Sequence, residues 1–226
     1  MPFGTVEQAL EDIKAGKLVI VADDEDRENE GDLVIAADHA TPAAVNIMIT
    51  HGKGLVCLAV SQEIAHQKQL KPMVSRNREA MGTAFTLSVD ATRKHGVTTG
   101  IAAEERAKTI AVVISDEYGP EDLVAPGHMF PLVARKGGLR TRTGHTEAGV
   151  DLARLAGCKH AAAVIVEVIK EDGTMARRDD LALLARNLDI PFITTAQLVQ
   201  YIQEKDASEG AAQRAPAVAS IAPIRP

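Results

Sequence analysis

Apolar and polar positions along this chain fall into two rhythms. Val6, Leu10 and Ile13 recur at helical spacing behind the capping pattern Thr5-Val-Glu-Gln8, and Gly16 ends the run, which predicts a first helix. LVIVA (Leu18 to Ala22), LVIAA (Leu33 to Ala37), GLVCLAV (Gly54 to Val60) and AAAVIVEVI (Ala161 to Ile169) are short unbroken apolar runs that read as buried strands. Pro42 opens a helix through Ile49, Asp180 to Leu188 is helical, PFIT is a brief strand, and Thr194 with Gln197 caps a last helix through Ile202. TAFTLSVDA (Thr83 to Ala91) alternates in part, while TIAVVIS (Thr109 to Ser115) fits either period. Helices and strands mix without a regular βαβ rhythm, so the expected fold is α+β, a single domain with a mixed β-sheet covered by helices. That domain spans residues 1–206. Residues 207–226 are rich in Ala, Pro and Ser with no periodic apolar face, and read as a disordered tail or a linker.

Composition narrows the class. With 46 % hydrophobic and 25 % charged residues the chain has the make-up of a soluble globular protein. It has no Trp, four Phe and two Tyr, too few stacking platforms for single-stranded nucleic acid, and a pI near 5.7 argues against phosphate-backbone binding. Cys57 and Cys158 are too few for a disulfide framework or a zinc ribbon. No run of about 18 apolar residues offers a membrane span. These features together predict a cytoplasmic protein with a small-molecule partner.

Charge changes the picture. The stretch DDEDRENEGD, Asp23 to Asp32, holds seven carboxylates against Arg27 alone, a net −6 that equals the formal charge of the whole chain. It joins two predicted core strands. Asp24, Asp26, Glu28, Glu30 and Asp32 stand on alternate positions, so an extended stretch would turn them to one face, a seat for a hard divalent cation. An EF-hand alignment fails, because Ala37 falls where the bidentate Glu should stand. The plain alternative is a solvated acidic turn, the commoner meaning of an acidic run. A second constellation is RTRTGHTEAGVDLARLAG, Arg140 to Gly157. A helix is predicted from Glu147 to Ala156 with Thr146 as its N-cap. The Arg140, Arg142, Gly144 and His145 ahead of it describe a cradle for phosphate or carboxylate, or else an ordinary capped helix with surface arginines. Glu167 shares a strand face with Ile165 and Ile169, opposite Val164, Val166 and Val168, so it lies either at a wet sheet edge or partly buried with a shifted pKa. His128, after a Pro-Gly turn in PGHMFPL, is by its type more often structural than catalytic. The GVTTG loop, Gly96 to Gly100, could touch a polyol, and Cys57 reads as a small buried hydrophobe.

The motifs VIVADDEDRENEGDLVIAAD, TAFTLSVDA with GVTTGIAAEERAKTI, PGHMFPL, RTGHTEAGVDLARLAG and EDGTMARRDDL stand in one order from about residue 5 to residue 203. In them the chain closely resembles the 3,4-dihydroxy-2-butanone 4-phosphate synthase family of riboflavin biosynthesis. The resemblance implies a magnesium-dependent lyase acting on ribulose 5-phosphate, a homodimer with sites near its interface. It implies that Glu28 and His145 bind metal, two Mg2+ ions in all, with Mn2+ as a substitute that suits imidazole better. It implies substrate contacts from Arg27, Glu28, Asp32, Arg142, Thr143, Gly144, His145, Thr146 and Glu167, and catalysis by His128 and Glu167. Two alternatives go with it: the synthase half of a bifunctional enzyme that continues into GTP cyclohydrolase II, for which the Ala/Pro-rich segment would be the linker, and an inactive paralogue that binds metal or sugar phosphate.

Overall fold

A computed structural model describes residues 3–214, with side chains as far as residue 209. The chain begins with α1 (Val6–Lys14), β1 (Val19–Ala22), β2 (Gly31–Ala36), α2 (Pro42–His51), β3 (Cys57–Val60) and α3 (Gln62–Gln67). It continues through β4 (Val89–Ala91), α4 (Ala103–Ile114), β5 (Leu123–Val133), α5 (His145–Leu155), β6 (Ala162–Glu167), α6 (Arg178–Leu188), β7 (Phe192–Thr194) and α7 (Thr195–Arg214). The strands form one mixed sheet in the order β4-β5-β3-β6-β2-β1-β7. β1 pairs antiparallel with β2 and parallel with β7, and β6 lies antiparallel between β2 and β3. The expected α+β domain with a helix-covered mixed sheet is therefore present.

The apolar runs lack alternation because helices cover both faces of the sheet. Ile20, Leu33, Ile35, Leu58, Val164 and Val166 pack on one side with Met48 of α2, Ile110 of α4 and Leu181 of α6. Val19, Val21, Val34, Ala59, Ala163 and Ile165 pack on the other with Ile13 of α1, Leu152 of α5 and Leu198 of α7. Thr5 caps α1 through the Gln8 N–H at 3.2 Å, as its sequence predicts. Among the described residues no helix is long and apolar enough to cross a membrane.

Three elements differ from expectation, and one left open is decided: Thr109 to Ile114 is helix, the second half of α4, with Ser115 as its C-cap. β5 carries Pro126, Gly127 and Pro131, which argue against a strand. It forms because Pro131 still offers its carbonyl, taken by the backbone N–H and the hydroxyl of Thr86 at 3.0 Å each. α3 is too short at six residues to display a period. α7 runs past Ile202 to Arg214, so the tail expected from residue 207 is helical as far as 214. Arg140 holds it with a bidentate pair to Asp206, at 2.7 and 2.6 Å. The rest of that expectation, residues 215–226, lies outside the described residues.

Gly31 opens β2 directly over the fully buried Leu181, whose methyl groups occupy the space a Cβ would need. Gly31→Ala should cost about 1–3 kcal/mol by overpacking, and Leu181→Ala about 2–5 kcal/mol by leaving a cavity. Urea unfolding of the double variant should show a loss well below the sum of the two, because the added methyl fills the vacated space.

Candidate active site

The acidic stretch does not run extended. Asp23 is buried at the end of β1 and turns its carboxylate back into the loop, where one oxygen accepts the Glu28 N–H at 3.0 Å and the Arg27 guanidinium at 2.8 Å, and the other accepts the Glu30 N–H at 2.9 Å. Arg27 and Asn29 donate their N–H groups to the Asp24 carbonyl, and Asn29 takes a left-handed φ of 53°. The loop is therefore a folded turn, and the expected one-sided row of five carboxylates is absent. Glu25 and Asp26 are exposed, whereas Glu28, Glu30 and Asp32 turn to a common cavity. From below, Arg177 at the start of α6 donates to the carbonyls of Glu28 and Asn29, and Arg178 lies 3.4 Å from Glu25.

Sheet register brings in the rest. Asp32 pairs directly with Glu167 across β2 and β6, so both side chains leave the sheet on the face that α5 covers. α5 begins at His145, two residues before the expected start, with Gly144 rather than Thr146 as N-cap. The shift places His145 and Thr146 inside the first helical turn, aimed at the sheet end. A Cβ on Gly144 would overlap the Arg142 guanidinium and come within 3.0 Å of Arg27, so two arginines converge on this helix start. The cavity holds about 200 Å³ and is lined by Arg27, Glu28, Glu30, Asp32, Arg142, His145, Thr146 and Glu167, together with Cys57, Glu79, Thr83 and Phe85.

Within it, His145 Nδ1 lies 3.6 Å from Glu28 and 3.9 Å from Asp32. The neighbouring His145, and Arg27 bonded at 2.9 Å, hold the Glu28 carboxyl down at about 2, against the opposing effect of burial. Burial pushes Asp32 up to about 7, aided by Glu167 and Glu28 and opposed by His145. Burial alone would lower His145, but Asp32 and Glu28 outweigh it and raise the imidazole to about 9. Two buried atoms here have no protein partner, Asp32 Oδ1 and His145 Nε2. Such orphans in a polar cavity call for a ligand.

The donor set fits a divalent cation. Asp23, Glu28 and His145 can each present a ligand atom within 4.8 Å of the others. Asp23 has both oxygens committed to the loop, so of the three Glu28 and His145 are the more available to an ion. A two-ligand site suits magnesium, which keeps waters and takes substrate oxygens. A cation must displace the His145 proton to use the ring nitrogen.

The expected site residues do not all assemble. Thr143 is exposed and outside the cavity, and Arg140 is drawn off to Asp206. Arg142 is present but engaged: it pairs with the buried Glu147 at 2.5 Å and donates to Thr83 Oγ1 at 3.0 Å and to the Met81 carbonyl at 3.3 Å, so it fastens segment 79–83 across the cavity. Glu167 is fixed by the Leu55 N–H at 2.8 Å on Oε2. His128, expected to be catalytic, does not line this cavity. It stands half-exposed on β5 beside Asp90. Sequence reasoning missed the roles of Asp23, Glu147 and Arg177; Cys57 is the small buried hydrophobe it was read as, although it also touches the cavity. Only Asp23, where the acidic stretch leaves β1, carried a signal.

Comparison with known proteins bears on these residues. The sequence model of 3,4-dihydroxy-2-butanone 4-phosphate synthase matches residues 7–201. The riboflavin biosynthesis protein RibBA of Aquifex aeolicus is 54 % identical over 199 residues, 88 % of this chain and 49 % of that protein. The one from Bacillus mycoides is 51 % identical with the same coverage. The chain thus spans about half the length of these curated relatives. A crystal structure of 3,4-dihydroxy-2-butanone 4-phosphate synthase in complex with two magnesium ions superposes with a TM-score of 0.86 at 36 % identity, covering 90 % of this chain and 99 % of that one. RibBX, a two-domain synthase from A. baumannii, gives 0.83 at 52 % identity over 88 % of this chain and 57 % of that one.

If Asp23 locks the loop, charge alone does not predict its mutants. Asp23→Ala, which leaves two N–H groups unpartnered and Arg27 with Glu28 alone, should cost about 2–5 kcal/mol. Asp26→Ala removes the same charge from an exposed position and should stay within about 0.5 kcal/mol of wild type. Urea midpoints for the two variants check this. Equal effects would show that the loop is governed by net repulsion instead.

Proposed function

The chain belongs to the 3,4-dihydroxy-2-butanone 4-phosphate synthase family, and from that premise we propose that it converts D-ribulose 5-phosphate to 3,4-dihydroxy-2-butanone 4-phosphate and formate. The observation that carries this reading is the meeting of Glu28, Asp32, Glu167 and His145 at the start of α5, with the partnerless Asp32 Oδ1 and His145 Nε2 turned into one cavity. Two magnesium ions, when bound, would supply Lewis acidity for charge developing on adjacent sugar oxygens, and Glu28 and His145 would hold them.

The chain's own groups do the rest. The first-turn N–H groups of α5, its dipole and Arg27 take the phosphate, whose binding energy then orients the sugar. Arg142 keeps segment 79–83 in place and excludes water. Asp32 orients a sugar hydroxyl through Oδ1. Glu167, fixed by Leu55 on one oxygen, gives and takes protons with the other. Enediol formation and loss of water are followed by a skeletal shift and uptake of water as one carbon leaves, so the water lost is balanced by the water gained and the composition of the substrate equals that of the four-carbon product plus formate.

A homodimer completes this reading. His128 lies outside its own cavity on a surface with exposed Leu87, Ile101 and Val124, which are 40, 54 and 49 % accessible. Such a patch fits a second copy, and His128 of the partner subunit then joins each cavity as the second acid/base group. A further reading, favoured by the half-length match to RibBA proteins, makes this chain the synthase part of a two-function enzyme with GTP cyclohydrolase II; the length of the native gene product decides it.

Formate release from ribulose 5-phosphate should require a divalent ion, stop on chelation and return when magnesium is restored. Glu28→Ala should lower it by at least about 100-fold, and manganese should support turnover. Failure with manganese would remove His145 as a ligand. His128→Ala and Glu28→Ala should each be inactive alone. Mixed in equal amounts after subunit exchange they should regain about a quarter of wild-type activity, since half the dimers then hold one intact site of two. No recovery would place His128 and Glu28 in the same subunit's site.

A further inference from the structure

We infer that Asp90 is the positioning residue that fixes the tautomer and direction of His128, an inference that rests on the catalytic reading of His128 given above. Asp90 is 6 % exposed, yet both its oxygens go to one residue: Oδ1 accepts the His128 backbone N–H at 2.8 Å and Oδ2 meets Nδ1 at 2.7 Å. The register of β4 against β5 shifts between Val89 and Asp90. An irregularity of this kind re-aims a side chain. A carboxylate only accepts, so Nδ1 must carry the ring proton and Nε2 is left as the bare nitrogen on a half-exposed ring.

The pair is backed from behind. Gly100 has φ +90°, and a Cβ there would run into the Asp90 carboxylate and His128 Nδ1. The loop that carries Gly100 is tied to Glu105 at the start of α4: that carboxylate accepts the Thr98 N–H at 2.6 Å and hydroxyl at 2.5 Å, the Thr99 hydroxyl at 3.1 Å and the Gly100 N–H at 2.8 Å. Glu105 holds the loop, the loop seats Gly100 against Asp90, and Asp90 aims the imidazole. Acid/base chemistry gains from this arrangement because an imidazole held in one tautomer offers the same nitrogen at each turnover.

Asp90→Asn tests it at constant size. If the amide oxygen keeps the His128 N–H, the amide NH2 faces Nδ1 and selects the opposite tautomer. Steady-state kinetics with ribulose 5-phosphate and magnesium should show kcat down about 10²- to 10⁴-fold, KM within about three-fold, and an unchanged thermal midpoint and oligomeric state. Adding Asp90→Asn to His128→Ala should bring no further loss, because the two act as a unit. In ¹⁵N-histidine NMR the His128 proton should sit on Nδ1 in wild type and move to Nε2 in the variant. Wild-type kcat in Asp90→Asn alongside a crippled His128→Ala would overturn the inference, as would an additive loss in the double variant. Full turnover in His128→Ala would instead sink the catalytic reading of His128, and the tautomer spectrum would then decide the positioning claim by itself.

Discussion

Crowded carboxylates are the constraint on which this molecule turns. Glu28, Glu30, Asp32 and Glu167 face one small cavity, and two like charges 4 Å apart repel by about 4 kcal/mol at the effective dielectric of a protein surface. The structure holds them there by committing other groups to fixed positions. Asp23 spends its charge on Arg27 and two backbone N–H groups. Arg177 grips the loop's carbonyls from α6, His145 shares Glu28 and Asp32, and the positive end of α5 points at the group. Burial, with the remaining repulsion from Glu167, Glu28 and Glu30 added to it, raises the pKa of Asp32 to about 7, and Glu30 is raised in the same way. The cavity thus sets carboxylates that suit a cation beside guanidinium and helix N–H groups that suit an anion, the combination that the proposed substrate and its metals would require.

Register is what gives that charge a location. The antiparallel match of Asp32 with Glu167 sets both on the α5 face, and a slip of one residue in β6 would turn Glu167 into the core on the opposite side. Val164, Val166 and Val168 guard against such a slip. They fill the face toward α2, α4 and α6, and each would have to exchange places with Ile165 or Glu167. The hydrophobic core therefore supplies site geometry as well as stability.

How much of this was legible in the sequence follows the same division. Buried strands announce themselves as unbroken apolar runs, and the opposite faces of Val164 and Glu167 follow from parity alone. The pairing of Glu28 with His145 was reached only through motif resemblance, since 117 residues of chain separate them. Loop conformation was misread because alternation in an acidic run presumes an extended backbone, and the turn imposed by Asp23 breaks it. The start of α5 moved by two residues because Gly144 can cap without a side chain and so leaves no cap signature. Arg142 matched the anion-cradle pattern, yet its tie to Glu147 depends on a tertiary contact that spacing does not encode.

The two halves of the expected machinery differ in how they are built, and that difference explains their separation. Asp32, His145 and Glu167 stand at element ends on the central strands and α5 with the core beneath them, and Glu28 stands on the turn tied down by Asp23. His128 stands on the exposed first half of β5, beside the edge strand β4, where Asp90 and the glycine loop pinned by Glu105 hold it. A group this exposed can reach a neighbouring molecule while it stays out of its own cavity, which β5 meets only at Leu132, four residues further along the strand. An edge with exposed Val124, Leu87 and Ile101 is also an unprotected surface for a monomer. In the proposed homodimer one interface would cover that surface and deliver the imidazole at once, so the exposure of His128 and the exposure of its apolar neighbours would have a single cause.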